Sequence, residues 1–595
     1  MKNTKRFLIT TALEESWRYD EPILFLGEWC RLYSRKEHWD NLDADVLTYH
    51  WADKSKLDRD CEFLSSYYEQ LLIILAQKLN EIHNTDFSLR YWRILVGPWL
   101  AYFIQMLFDR WESVHQAIEL YELDETVLLE YDETLFIPND MNDFVKLFVE
   151  DSWNHGILGI ILNQFTTIRC IIKKPSLQAR GMSLPITQSR KDYIKQKLIY
   201  LPSKVISLFA KDPDIFLNGT YLPVKTEIKL QIKLGQFPQL WENNIKTVRI
   251  EPDLNKRNWV LKSTVESSFD TFVNSLIPKH IPTAYLEGFS SLVEQTKNLG
   301  WPKNPKIIFT SNILWHDCVS MAYTAEKVEN GSLLVYGQHG GFYGSGKFSW
   351  AEKHEIAISD FYLSWGWDEI KQSKIIPLGI LKSFGKHSMG SVSLSKTRTK
   401  TLLLVLVSIS RYSYRLDSDL NSGEMIKSFE EHFSFVRTLP MNIKNQVLVR
   451  LHVHEYGWFI GSRWKDQFSD IMLDDGTSNM ERLMRNCRIL VYTYNSTGYL
   501  ESLSLNIPTI IFWNSYSSPL RDSAVPYFEE LKKAGIFHET PGSAAAKVAE
   551  IWEDVPGWWN QPQIQRAREN FCNRFARTLK NPTKLLKDIL LSVKA

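Results

Sequence analysis

The sequence predicts an α/β protein of two doubly wound lobes facing a central cleft, with a helical insertion in the N-terminal lobe. Three observations carry this expectation. Short β-branched and leucine-rich runs alternate with helical spacing in two separate blocks. Several of these runs end in small or polar residues at the carboxyl end of the strand, where open α/β sheets bind ligands. A polar stretch with Gly, Ser and Lys, 386–400, divides the blocks and has little to bury. The expected organisation is an N-terminal lobe at 1–385 with a helical insertion at about 55–300, the 386–400 linker, and a C-terminal lobe at 401–595. At 595 residues the chain is too long for a single core.

The first block opens with strands at 6–12, 22–27 and 46–51. Glu14, Glu15 and Glu28 follow the first two strands, where a carboxylate can serve as a general base or simply cap a helix. Helical spacing then covers 57–83, 90–119 and 140–165. Weaker helical patterns follow at 203–210, 223–234 and 280–299. Strand 306–310, helix 315–328 and strand 333–336 restore the alternation. The last strand runs into Gly337-Gln338-His339-Gly340-Gly341-Phe342-Tyr343-Gly344-Ser345-Gly346, with five glycines in ten residues. Such a loop lets backbone approach a ligand closely. Within it Gln338, His339, Tyr343 and Ser345 carry the polar chemistry, and His339 has a side chain suited to proton transfer near neutrality.

The second block starts at strand 401–407, which ends in Ser408-Ile409-Ser410-Arg411-Tyr412. After a helix at 423–439, strand 446–451 leads through Arg450 into His452-Val453-His454. The third unit is the most informative. Strand 489–492 stops at Thr493-Tyr494-Asn495-Ser496-Thr497-Gly498, a helix follows, and strand 509–512 completes a βαβ unit. Asn495, Ser496 and Thr497 fall at a helix start, where free N–H groups and hydroxyls favour an anion; the same residues also make an ordinary cap. Glu501, one turn later, can accept from ribose hydroxyls. Loops bearing Ser410, Arg411, Arg450, His452 and His454 lie at the ends of neighbouring strands and can converge on the same ligand. Helices are expected at 526–534, 542–553 and 562–593, the last packing back across the first lobe.

Composition narrows the function. Seventy basic residues against 69 acidic leave a net charge of +1, which argues against broad nucleic-acid binding. Six scattered cysteines without paired spacing fit a reduced, cytoplasmic protein. The N-terminal segment reads as a strand rather than a signal peptide, and the apolar runs are too short to span a bilayer. No metal-ligand spacing stands out, since His452 and His454 lack an obvious third ligand.

The stretches ITTALEESW and PILFLGEWC near the start, YGQHGGFYGSG and SDFYLSWGW in the middle, and RLHVHEYGW and NSTGYLESLSLNIPTIIFW near the end carry a resemblance. Together they resemble a family of surface-polysaccharide (O-antigen cluster) transferases of about this length. The two lobes resemble the GT-B class of glycosyltransferases, which implies two Rossmann-like lobes. The second lobe is similar to capsule-type Kdo and sialic-acid transferases, whose Ser/Thr pair holds CMP. Ser496-Thr497 matches that pair, whereas His452 is followed by Val453 where that family has proline. The loop of Gln338, His339, Gly340 and Gly341 resembles the histidine-glycine loop of CDP-glycerol glycerophosphotransferases, which implies His339 as base.

The resemblance thus implies a metal-independent transferase without a cofactor. Its substrate would be a nucleotide-sugar donor, a CMP-sugar by the Ser/Thr match, and its acceptor a lipid-linked glycan, met at the inner face of the cytoplasmic membrane. His339, or else Glu14 or Glu15, would take the acceptor proton. Arg450, His452 and His454 would offset phosphate charge, and Gly340, Gly341 and Tyr343 would shape the substrate loop. A glycerophosphotransferase, a nucleotide-sugar epimerase and a non-catalytic assembly subunit remain as alternatives.

Overall fold

A computed structural model describes residues 5–176, 213–261, 267–369, 372–383, 401–514, 518–579 and 581–594. The 386–400 linker and the 203–210 helix expected from the sequence lie outside them. The chain is α/β throughout, and all strand pairs within its sheets are parallel. Parallel sheets bury both faces, which explains why these strands read as continuous apolar runs.

The expected single N-terminal lobe contains two separate sheets. In the first, β1 (Phe7–Ile9), β2 (Ile23–Phe25) and β3 (Ala44–Val46) pair in that order. On the other side of β1 lies β4 (Glu125–Leu129), joined by an Arg6–Leu123 bridge and by the Thr126 hydroxyl donating to Leu8 O at 2.8 Å. β4 in turn pairs with β5 (Arg169–Lys173). The arrangement reads 3-2-1-4-5, reversing between β1 and β4. The second sheet, β6 (Ile215–Leu217), β7 (Ile307–Thr310), β8 (Leu333–Gly337), β9 (Phe361–Ser364) and β10 (Ile375–Pro377), runs in simple sequential order. The 55–300 region is therefore not purely helical: it supplies β4, β5 and β6.

The third sheet holds β11 (Leu402–Val405), β12 (Val447–Arg450), β13 (Met472–Asp474), β14 (Ile489–Tyr492), β15 (Thr509–Phe512) and β16 (Phe537–His538). Its order is β13-β12-β11-β14-β15-β16. This is the 3-2-1-4-5-6 order of doubly wound nucleotide-binding sheets, with the switch between β11 and β14.

A long helix, Leu89–Leu120, is the common spine. It is apolar nearly all round, as a buried helix must be, and Trp92 and Trp99 are fully enclosed. It packs on Lys54–His83, on Cys318–Glu329 beside the second sheet and on Asp151–Phe165 beside the first. Several helices differ from expectation where proline or a polar residue interrupts the apolar spacing. The 140–165 pattern splits into Met141–Leu147 and Asp151–Phe165, and the 280–299 pattern becomes Phe289–Lys297 after Pro282. The 562–593 pattern is broken at Pro582 into Pro562–Phe575 and Pro582–Lys594. The last of these does return to the first block: Leu586 and Leu590, fully buried, join Ile215, Leu217 and Ile307 in the core of the second sheet.

Candidate functional site

The second and third sheets turn their strand-end loops toward each other. After β8 the chain enters the glycine loop; after β14 it enters Thr493–Ser496 and the helix Thr497–Ser504. The two meet at Gly341, where any Cβ would collide with the Ser496–Thr497 peptide. Only glycine permits this approach. A second seam lies nearby, where Gly346 bridges Leu520 and Arg521 donates to Gly346 O at 2.8 Å. Arg521 also pairs with Glu352 and, at 2.7 Å, with Glu369.

His339 stands at this junction with its side chain 22% exposed. Its Nδ1 lies 3.1 Å from Oε1 of Glu355, a contact that becomes an ion pair when the imidazole takes a proton. Glu355 is completely buried and accepts from Trp315 Nε1 at 3.0 Å and from the Tyr343 and Tyr362 hydroxyls at 3.2 Å. The ring of His339 meets Tyr221 and Tyr343 edge to face, with centroids 6.1 and 5.7 Å away. His316 is close by; burial, and then the neighbouring His339, hold its pKa below the usual range.

The loop is pinned from below. Gln338 is buried, its Oε1 accepting from Trp365 N and Trp367 Nε1 and its Nε2 donating to Gly340 O, each at 2.8 Å. Gln338 and Tyr343 therefore position the loop, while His339 and Gly340 stay partly accessible. Gly344, at φ +74°, makes the turn beneath Trp367, where a side chain would be both strained and blocked.

On the facing side, Ser496 caps the helix, its Oγ accepting from Gly498 N at 3.4 Å. Asn495 is buried, accepts from the Tyr499 hydroxyl at 2.9 Å, and leaves its Nδ2 without a partner among the described residues. Glu501 lies 2.5 Å from Lys382 Nζ, which reaches across from the second sheet and sits over the Tyr221 ring. His339, Tyr221, Lys382, Glu501, Gly341 and the Ser496–Thr497 helix start thus form one chain of contacts across the seam.

Other residues expected at the site are placed elsewhere. Glu14 is held by Arg35 through two 2.8 Å hydrogen bonds and by His38, and the Arg35 bonds draw its pKa down. Glu15 is exposed and accepts from Ser176 N at 2.9 Å and from the Ser176 hydroxyl, which also lowers its pKa. Neither contacts His339, so the structure does not bring the three base candidates together. Arg450 is occupied by Asp474 at 2.6 Å and Gly476 O at 2.8 Å, because β12 and β13 pair beside it. Arg411 is buried as a tie to the first sheet, bonded to Trp29 O and, at 2.6 Å, to Asp151. Ser410 accepts from Tyr412 N at 3.2 Å within the same loop. His452 and His454 are exposed with Tyr456 in a small aromatic cluster.

Sequence reading missed Glu355, Tyr221 and Lys382. The helix Trp350–Ile358 carries two glutamates, a lysine and a histidine among nine residues, so nothing in the sequence singled out Glu355, and Tyr221 and Lys382 carry no signal either. Among the described residues no group of three His, Cys, Asp or Glu is placed to hold a metal ion, and no helix is long and apolar enough to cross a membrane.

A sheet in nucleotide-binding order, with a histidine–carboxylate pair presented to its switch point by a second parallel sheet, is the architecture of an α/β group-transfer enzyme. The chain belongs to the LIC12162 family of transferases, whose family model matches residues 6–590. Among solved structures it resembles a variant of the wall teichoic acid polymerase TagF at 10% identity, covering 68% of this chain and 98% of that one with a TM-score of 0.32. A UDP-GlcNAc 2-epimerase from Neisseria meningitidis bound to UDP-GlcNAc shares 13% identity, over 64% and 99% of the two chains, TM-score 0.35. WaaG, a glycosyltransferase involved in lipopolysaccharide biosynthesis, shares 11% over 63% and 98%, TM-score 0.27. A comparison with curated proteins finds no match.

Proposed function

We propose that this transferase moves a sugar from a nucleotide-activated donor onto a hydroxyl of a lipid-linked glycan, working from the cytoplasmic side of the membrane. The observation that carries the reading is the contact of the His339 loop with the Ser496–Thr497 helix start at the switch point of the third sheet. The donor phosphates would lie at that helix start, drawn by its free N–H groups and the Ser496 and Thr497 hydroxyls. On donor binding Lys382 would exchange its ion pair with Glu501 for the phosphate, which leaves Glu501 to accept from the ribose.

His339 takes the proton of the acceptor hydroxyl as its oxygen attacks the anomeric carbon. The bond from that carbon to the phosphate oxygen breaks, and its electron pair leaves with the nucleotide. Glu355, buried beside Nδ1, stabilises the imidazolium that forms. Stabilising the departing phosphate supplies the larger part of the rate, because charge accumulates there in the transition state.

Calorimetric titration with CMP, CDP, UDP and GDP tests the donor site, and binding of at least one is expected. Failure of all four would remove the reading. His339→Ala should lower transfer by about 10²-fold or more with nucleotide affinity nearly unchanged; an unaltered transfer rate excludes His339 as the base. Donor conversion without any acceptor would point to epimerisation instead.

A further inference from the structure

A cavity of about 730 Å³ opens on the first sheet, and no residue of the inter-sheet site described above lines it. It lies at the carboxyl end of β4, between Leu128–Tyr131, the helix Asp151–Phe165 and the segments 254–258 and 279–280. It flanks the β4–β5 pair, through Leu128, Leu129 and Ile172. Open α/β sheets bind ligands in crevices at the carboxyl ends of their strands.

His155 stitches the crevice shut at its base. Its Nε2 accepts from Leu129 N at 2.8 Å, so Nδ1 carries the hydrogen and donates to the Thr10 and Thr11 hydroxyls at 3.2 Å. Those bonds use both ring nitrogens. The Tyr131 hydroxyl and His280 Nδ1 are closed off from the open space of the cavity, so its polar contacts fall to the exposed amides and Glu130 at its mouth.

The lining also states what kind of ligand fits. Lys279 faces Glu133 at 4.0 Å, and Arg257 is taken by Glu287 at 2.7 Å, so neither cation is uncompensated. Glu130 adds a further carboxylate. A phosphate or other anion is disfavoured. Asn163, Gln164 and Asn258 supply amide donors and acceptors, whereas Phe136, Ile157 and Ile160 supply apolar wall.

We propose that this cavity binds a neutral, hydroxyl-rich ligand, a short stretch of glycan. The amides and Glu130 bond its hydroxyls, and its C–H faces pack on the apolar wall. The volume lies within the range that encloses a ligand of that size. The site is separate from the nucleotide site proposed between the second and third sheets and does not depend on it.

Saturation-transfer NMR on the full chain tests this with N-acetylglucosamine, galactose, mannose, rhamnose and their common disaccharides as probes. At least one should receive saturation from the wild type. Asn163→Trp, placed on an exposed rim position, should cut its affinity about tenfold or more. Asn258→Ala, which removes only an exposed amide, should cut it about threefold to tenfold. Nucleotide binding measured in parallel should not change in either variant, which separates failure here from failure of the donor site. Silence from every probe with wild-type protein overturns the proposal, as does a signal that survives Asn163→Trp. Octyl glucoside contacts confined to its alkyl tail and lost in Asn163→Trp also overturn it, by marking a lipid pocket.

Discussion

Glu227 shows how a residue beside the proposed site couples chemistry to stability. It lies in the helix Val224–Lys233 and accepts from the Thr220 hydroxyl, one residue before the Tyr221 that faces His339. Burial pushes its pKa up to about 7, and the Thr220 bond offsets only part of that. Between pH 4.5, the ordinary glutamate value, and about 7, the unfolded chain releases this proton while the folded chain keeps it. The folded state then binds more protons, and its stability falls as pH rises through this window. Glu227→Gln, which keeps an acceptor for Thr220 but cannot ionise, should match wild type near pH 4.5. By pH 8 it should be more stable, by at most ~3 kcal/mol. Denaturant unfolding at the two pH values decides this; a constant difference between wild type and variant would show that Glu227 does not titrate as described.

At the level of elements, the glycine loop and the N-S-T helix start were legible in the sequence because each interrupts an apolar strand with residues that have few structural uses there. Strands β11, β12, β14 and β15 of the second block were legible for the same reason, whereas the short outer strands β13 and β16 were not. What sequence could not show was pairing. β1 and β4 lie side by side through bonds between residues more than a hundred positions apart, so one expected lobe holds two sheets. Arg450 and Arg411 looked available because their partners, Asp474 and Asp151, lie 24 and 260 positions away. The C-terminal helix Pro582–Lys594 is the exception. Its return across the first lobe was expected, and the fold adds that it seals the second sheet through Leu586 and Leu590. Leu586→Ala should cost about 2–5 kcal/mol by leaving a cavity in that core. Because the second sheet carries His339, the loss should lower the first unfolding transition and the transfer activity together. A variant of unchanged melting behaviour would mean the helix merely rests on the surface.

For the whole molecule, the first and third sheets are joined through the spine helix by a buried polar node rather than by apolar contact alone. Arg110, on the spine helix, bonds Asp109 at 2.8 Å, Asn154 of the first sheet's helix at 2.7 Å and the Ser413 carbonyl of the third sheet's loop. Asp109 also accepts from the Tyr49 hydroxyl at 2.5 Å and faces His50 at 3.2 Å. Both charged side chains are at most 2% exposed. Taking one partner from such a pair leaves the other charged and unsatisfied, which costs about 3–5 kcal/mol, whereas removing both costs much less. Arg110→Met should therefore lower the first denaturant transition by that amount and expose the seam between the first and third sheets to proteolysis. Arg110→Met combined with Asp109→Asn should recover part of the loss, since the orphaned carboxylate is gone. A strictly additive pair would mean the two residues act independently, and the node would not be what holds the first sheet against the third. The recovery has a functional readout as well: the spine helix also packs against Cys318–Glu329 and Trp350–Ile358, the helix that carries Glu355, so transfer activity should follow the same order of loss and recovery as stability.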